Sequence, residues 1–134
     1  MNETVKFLSD NPVVYLATVD MNGYPRVRPF QFMFEKDSKV YFCTSNQKDV
    51  YAQIQNQPYV EFSSMSKDFS WIRLFGKAVF SNDLNIKKKI IESNDLVRSI
   101  YQTPDNPVFE VFYLEDAEST IADFSGKPPR TFRF

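Results

Sequence analysis

A hairpin signal near the N-terminus constrains the fold of this chain more than any other feature. Val13–Val19 has the composition of a strand, and the Asn22-Gly23 pair that follows suits the positive backbone angles of a tight hairpin turn. Tyr24–Phe34 is predicted to return as the second strand. Phe30, Phe32 and Phe34 alternate along it, which predicts that all three lie on one buried face.

The rest of the chain continues as short strands interrupted by turns and short helices. Further strands are predicted at Lys39–Cys43, Tyr59–Met65, Phe69–Phe80 and Val108–Leu114, with shorter candidates at Ile121–Phe124 and Arg130–Phe134. Helices are predicted at Met1–Asp10, from Thr44 to about Asn56, and from the capping pair Asn82 and Asp83 to Tyr101. Six to eight strands with only short helices favour a mainly β fold, an antiparallel barrel or sandwich, in one domain spanning residues 1–134.

The composition excludes several classes of function. A net charge of −1 lacks the basic footprint of a nucleic-acid-binding protein. The chain has one cysteine, Cys43, which cannot form an intramolecular disulfide, and it has no histidine for a metal or a catalytic triad. We therefore expect no metal and no nucleic-acid partner. No signal peptide or membrane-length apolar run is visible, so we expect no membrane association and a cytoplasmic location.

Two arginines mark the first candidate site. Arg26 and Arg28 alternate on the face that the phenylalanines continue. They are either solvated arginines at the rim of the sheet or an anion site, since the planar guanidinium group suits phosphate.

The second candidate site is the stretch Thr44-Ser45-Asn46-Gln47-Lys48. Its Thr-x-x-Gln pattern is typical of a capping box, which predicts a helix that begins at Thr44. Amide groups at a helix start, two hydroxyl groups and a lysine would bind a phosphate. Such residues also cap helices that bind nothing, so the pattern gains weight only from its conjunction with the two arginines.

The run from Pro12 to about Phe80 resembles the FMN-binding split-barrel family, the pyridoxamine 5′-phosphate oxidase-like proteins. The resemblance is carried by Asn22-Gly23-Tyr24-Pro25-Arg26-Val27-Arg28-Pro29, Val40-Tyr41-Phe42-Cys43-Thr44-Ser45-Asn46-Gln47-Lys48, Gln57-Pro58-Tyr59-Val60 and Gly76-Lys77-Ala78. It implies an antiparallel split β-barrel, an FMN cofactor and a homodimer. The short members related to nitroimidazole-resistance and general stress flavoproteins are the closer likeness.

The resemblance also assigns roles to individual residues. Val27, Arg28, Pro29 and Phe30 would hold the flavin ring, largely through backbone contacts. The ribityl phosphate would be held by Arg26, Thr44, Ser45, Gln47 and Lys48. Cys43, which directly precedes Thr44, is also counted with the cofactor-binding residues. Its side chain is interpreted as a small buried hydrophobe rather than a redox thiol.

Two more residues, Trp71 and Arg73, are expected to complete the flavin site across the dimer interface. They share a strand face with Phe75, opposite the core-like face that includes Ile72 and Leu74. An exposed stripe of this kind is typical of an interface, although Trp71 could instead be buried under a helix.

The chain offers no acid–base pair or activated nucleophile, which suits a protein whose flavin carries the redox chemistry. We expect an oxidoreductase that uses reduced nicotinamide and a small oxidised substrate. The C-terminal Ala117–Phe134 lacks the substrate-holding residues of true pyridoxamine 5′-phosphate oxidases, so that activity is not expected. The alternatives are a flavin-binding or electron-transfer module, or the same fold binding haem or a deazaflavin.

Overall fold

The computed structural model describes residues 2–134, so Met1 of the predicted first helix lies outside it. The helices are α1 (Asn2–Asp10), α2 (Asp49–Asn56), α3 (Leu84–Ser93) and α4 (Asp95–Tyr101). The strands are β1 (Val13–Val19), β2 (Pro25–Gln31), β3 (Phe34–Lys36), β4 (Lys39–Ser45), β5 (Tyr59–Met65), β6 (Trp71–Ser81), β7 (Phe109–Ala122) and β8 (Arg130–Arg133). The predicted mainly β, antiparallel split-barrel class is confirmed.

One sheet contains all of these strands. Its order is β2-β1-β5-β6-β7-β4-β3, and β8 pairs with β7. The register of β6 on β7 shifts between Phe75 and Lys77, and Asp116 of β7 has a positive φ of 51° near this shift. Position 76 suits glycine, because a Cβ there would lie 3.1 Å from the Cβ of Leu114 and 3.3 Å from the Cα of Ala117, which is too close for a side chain without a shift. Such an irregularity bends the strand, which lets the sheet curl.

Two hydrophobic clusters lie on opposite sides of β4. The larger cluster stacks Phe42 on Phe62 with ring centroids 4.1 Å apart and includes Phe112. The smaller one packs α3 and α4 against the sheet, and in it the ring centroids of Tyr101 and Phe109 lie 4.7 Å apart. This second cluster places α4 next to the candidate site.

The predicted second strand is too long. Strand β2 ends at Gln31, and the backbone NH of Phe32 donates to Pro12 O while that of Met33 donates to Tyr41 O. Phe30 and Phe32 pack against the larger cluster, whereas Phe34 stacks on Tyr41 at 5.0 Å in the smaller one. The prediction of a single buried face is therefore wrong for Phe34, because the two residues between β2 and β3 carry the chain into a different strand pairing.

The predicted capping box is also wrong. Thr44 and Ser45 pair with Glu110 and Phe109 of β7, so the sheet uses the backbone that the pattern assigns to a helix. Helix α2 begins only at Asp49, after Lys48 with φ −93° and ψ 150°, and no side chain caps it.

The helix predicted to reach Tyr101 is two helices. The Asp83 cap is confirmed, since its carboxylate accepts from the NH of Asn85 at 2.9 Å. Asn94, with extended backbone, then ends α3 and caps α4 by accepting from the NH of Val97 at 3.0 Å. Among residues 2–134, none of the helices has the length and apolar composition that a bilayer-spanning helix needs.

Candidate functional site

Two cavities meet at Lys48, which lines both. The polar cavity, of about 610 Å³, lies between the β1–β2 turn, strand β2 and the start of α2. The apolar cavity, of about 390 Å³, lies between the end of β2, strand β4 and helix α4. An elongated ligand with one charged end and one flat apolar end would fit such a pair.

The polar cavity carries a formal charge of +1. Its lining includes three cations and two carboxylates: Arg26, Arg28, Lys48, Asp20 and Asp49. It also receives the first turn of α2, where amide groups lack intrahelical partners and no side chain caps them. A net positive cavity at a helix N-terminus favours an anion.

Arg26 is paired inside this cavity. Its Nε donates to Asp20 Oδ2 at 2.8 Å, and the other carboxylate oxygen accepts from the NH groups of Asn22 and Tyr24 at 2.9 Å each. The hydrogen bond from the Tyr24 amide and, to a smaller extent, the one from Arg26 hold the pKa of Asp20 below its ordinary value. Asp20 thus organises the turn, in which Gly23 has a φ of 83°, and neutralises Arg26.

Arg28 is held by neutral acceptors. Its Nη1 donates to Thr18 Oγ1 at 2.7 Å and to Leu16 O at 3.2 Å, and its Nη2 donates to Gln53 Oε1 at 2.8 Å. Burial lowers the pKa of Arg28, and the charge of Asp49 partly offsets this effect. Arg28 therefore brings to the polar cavity a positive charge that no hydrogen-bonded carboxylate cancels.

The wall of the apolar cavity includes Thr44, whose buried hydroxyl has no partner in the described part of the chain. Thr44 is 3% exposed, and its Oγ1 makes no hydrogen bond among the described residues. Pro29, Phe30 and Tyr101 are among the residues that line the same cavity. Because a buried unpaired hydroxyl is costly, this atom is suited to a ligand that supplies the missing partner.

Cys43 is partly buried in the wall of the apolar cavity. Burial raises the pKa of its thiol to about 12, although nearby Lys48 acts in the opposite direction. Burial likewise raises the pKa of Tyr101 to about 12. Both groups are neutral at physiological pH, so Cys43 is not a thiolate nucleophile.

The predicted site residues do not all converge on one place. Arg26, Val27 and Arg28 line the polar cavity, while Pro29, Phe30, Cys43 and Thr44 line the apolar one. Ser45 and Gln47 line neither: Ser45 Oγ accepts from the NH of Gln47 at 3.2 Å.

Trp71 and Arg73 also lie outside both cavities, on the outward face of β6. The Trp71 ring packs against that of Phe124 with centroids 5.0 Å apart and planes tilted by 52°, and Arg73 forms an ion pair with Glu61 at 3.3 Å. Neither side chain lines the candidate site of its own chain, so their role in a flavin site across a dimer interface stays a prediction.

Sequence reasoning missed the polar partners of the two arginines and the contribution of α4. Asp20 could have been found, since an aspartate before a turn typically accepts from the turn backbone. Gln53 lies four residues after Asp49, so helical spacing places both on one face of α2. The α4 residues Val97 and Tyr101 gave no signal other than ordinary helix periodicity.

The fold and the paired cavities define an antiparallel split-barrel protein with a two-part ligand cleft. Residues 1–120 match the family model for pyridoxamine 5′-phosphate oxidase. The chain is also similar to a NimC/NimA family protein from Clostridium acetobutylicum, with 34% identity, a TM-score of 0.91, and coverage of 100% of this chain and 92% of that one. The chain therefore belongs to the pyridoxamine 5′-phosphate oxidase family, which confirms the family that the sequence resemblance indicated.

Two more distant structures share the fold but differ in what their names say they bind. One is a pyridoxamine 5′-phosphate oxidase-related, FMN-binding protein from Nostoc punctiforme, with 20% identity, a TM-score of 0.76, and coverage of 96% of this chain and 84% of that one. The other is a haem-binding protein from Mycobacterium smegmatis, with 15% identity, a TM-score of 0.76, and coverage of 98% of this chain and 56% of that one. Among curated protein sequences, none is significantly similar to this chain.

Proposed function

We propose that this protein binds FMN and acts as an oxidoreductase, passing hydride or electrons from a reduced nicotinamide to a small oxidised substrate. The observation that carries the proposal is the junction of a positively charged cavity and an apolar cavity at Lys48. FMN has one phosphate end and one planar ring, and each end matches one cavity in chemistry.

The polar cavity supports the phosphate end. Arg28 and Lys48 would hold the phosphate together with the uncapped amide groups at the start of α2. Charge-assisted hydrogen bonds of this kind orient a ligand as well as raising its affinity.

The apolar cavity supports the ring end. Pro29 and Phe30 would contact the ring, and the unpaired Thr44 hydroxyl would meet a polar atom on its edge. Strand β2 lies at one end of the sheet order, so part of its backbone is free of strand partners and can also bind the ring edge. When bound, FMN supplies the hydride and electron chemistry, and the residues of this chain bind it, orient it and limit access of water.

A homodimer belongs to this proposal. The outward face of β1, β2, β5 and β6 exposes many large apolar side chains, among them Val13, Tyr15, Val27, Tyr59 and Phe75. Exposed apolar surface of this extent is typical of an interface. A second copy on this face would bring Trp71 and Arg73 towards the neighbouring cleft. The cytoplasmic location stays a prediction.

Two measurements test the proposal. The absorption spectrum of the purified protein, with mass spectrometry of the released cofactor, should identify FMN. Anaerobic stopped-flow mixing of the oxidised protein with NADPH or NADH should then bleach the flavin band within seconds, whereas pyridoxamine phosphate should be oxidised little or not at all. A loaded flavin that neither nucleotide reduces would indicate a binding or electron-transfer module.

Haem is the second candidate, because the fold is shared with a haem-binding protein. The residues favour flavin. The chain has no histidine, so the commonest axial ligand of haem iron is missing, and burial disfavours the anionic forms of Cys43 and Tyr101 in the apolar cavity. A Soret band in the purified protein would overturn the choice of flavin, and a deazaflavin would be recognised by the mass of the released cofactor.

A further inference from the structure

The two arginines of the polar cavity differ in the charge of their partners. Arg26 donates to the Asp20 carboxylate at 2.8 Å, so its charge is cancelled within the protein. Arg28 donates only to neutral oxygens, those of Thr18, Gln53 and the backbone. The difference decides which arginine can attract an anion.

Gln53 holds Arg28 within a closed set of hydrogen bonds. Thr18 Oγ1 donates to Gln53 Oε1 at 2.6 Å, and the guanidinium group of Arg28 reaches both side chains at 2.7 and 2.8 Å. Gln53 is 9% exposed and Thr18 is 2% exposed. Because each member of the set fixes another, the Arg28 guanidinium is oriented before any ligand arrives.

We propose that Gln53 determines the affinity of the polar cavity for a phosphate monoester, because its neutral amide oxygen positions Arg28 without cancelling its charge. This proposal rests on the proposed function of the same site. A glutamate at this position would have nearly the same shape and would still accept from Arg28. It would also take the formal charge of the cavity from +1 to zero, so the phosphate would lose its net attraction.

The variant Gln53→Glu tests this inference, with Gln55→Glu as its control. Gln55 lies on the same helix, is exposed and lines neither cavity, so it carries the same charge change away from the site. Flavin fluorescence titration of the apoproteins with FMN and with riboflavin separates the phosphate contribution from that of the ring. We expect Gln53→Glu to weaken FMN binding about 10- to 100-fold, with riboflavin affinity and melting temperature retained. Gln55→Glu should match the parent.

A third variant, Gln53→Met, separates charge from geometry. It removes the acceptor but adds no charge, so its FMN affinity should lie between those of the parent and Gln53→Glu. Equal losses in Gln53→Met and Gln53→Glu would overturn the role of charge.

The remaining outcomes are also decisive. Unchanged FMN affinity in Gln53→Glu would overturn the inference while leaving FMN binding intact. An unfolded Gln53→Glu would contradict it too, since the carboxylate is required to take the place of the amide oxygen. A parent protein that does not prefer FMN over riboflavin would instead refute the proposed phosphate site.

Discussion

Replacing Thr44 by valine should stabilise the apoprotein and weaken flavin binding at the same time. The Thr44 side chain is 3% exposed, and its hydroxyl has no hydrogen-bond partner in the described part of the chain. Leaving such a group buried costs about 1–3 kcal/mol. Valine removes the hydroxyl with little change of shape, so the apoprotein should gain that amount. The bound flavin should lose the contact that the hydroxyl makes with it.

The magnitude of both effects follows from the structure. An unfolding entropy of about 2.1 cal/mol/K per residue, taken over 134 residues, gives roughly 280 cal/mol/K. A gain of about 1–3 kcal/mol then raises the melting temperature by about 4–11 °C. Loss of one neutral hydrogen bond should weaken flavin binding by about 0.5–1.5 kcal/mol. FMN and riboflavin should be affected alike, because Thr44 lines the apolar cavity and not the polar one.

Thermal denaturation of the apoprotein and flavin titration measure these two effects, and Thr4→Val is the matched control. Thr4 is completely buried, but its hydroxyl shares a hydrogen bond with that of Ser119. Thr4→Val should therefore lower the melting temperature and leave flavin affinity unchanged. A lowered melting temperature in Thr44→Val would refute the reasoning about the unpaired hydroxyl. A loss of affinity for FMN alone would place Thr44 at the phosphate, as the resemblance implied.

Three further predictions concern Lys48, the dimer and Cys43. Lys48→Ala should weaken FMN binding by about 1.5–3 kcal/mol in fluorescence titration and spare riboflavin, and an unchanged FMN affinity would remove Lys48 from the site. Phe75→Glu should disrupt the dimer, because Phe75 is 44% exposed on the apolar outward face; light scattering that finds an intact, flavin-loaded dimer would contradict this placement. Since burial raises the pKa of Cys43 to about 12, its alkylation rate should keep rising with pH by about tenfold per unit above pH 9. A rate that levels off near the ordinary thiol pKa would show that the thiol is not protected.

The strands that sequence alone located correctly are those whose signals are local. Val13–Val19 and Tyr59–Met65 match β1 and β5 residue for residue. Each is short, rich in β-branched or aromatic residues, and closely bounded by turn or proline signals. Nothing distant in the chain competes with that preference.

The start of α2 could not be predicted in this way. The Thr-x-x-Gln pattern at Thr44 is a local helix signal, but the backbone there is paired with β7, more than 60 residues later in the chain. Non-local pairing of a whole strand outweighs one cap, whose side-chain hydrogen bond contributes only about 1 kcal/mol. The same limit applies to Phe34, whose partner Tyr41 is fixed by the pairing of β3 with β4.

The candidate site shows where local patterns reach their limit. In the sequence Arg26 and Arg28 are equivalent, since they are two cations on one face of one strand. In the fold, Asp20 six residues upstream neutralises the first, while Gln53 on a helix 25 residues downstream positions the second without neutralising it. An anion responds to net charge and not to the number of arginines, so the partners decide which arginine binds it. Sequence patterns can therefore name the cations of such a site, but the availability of each charge is a property of its tertiary contacts.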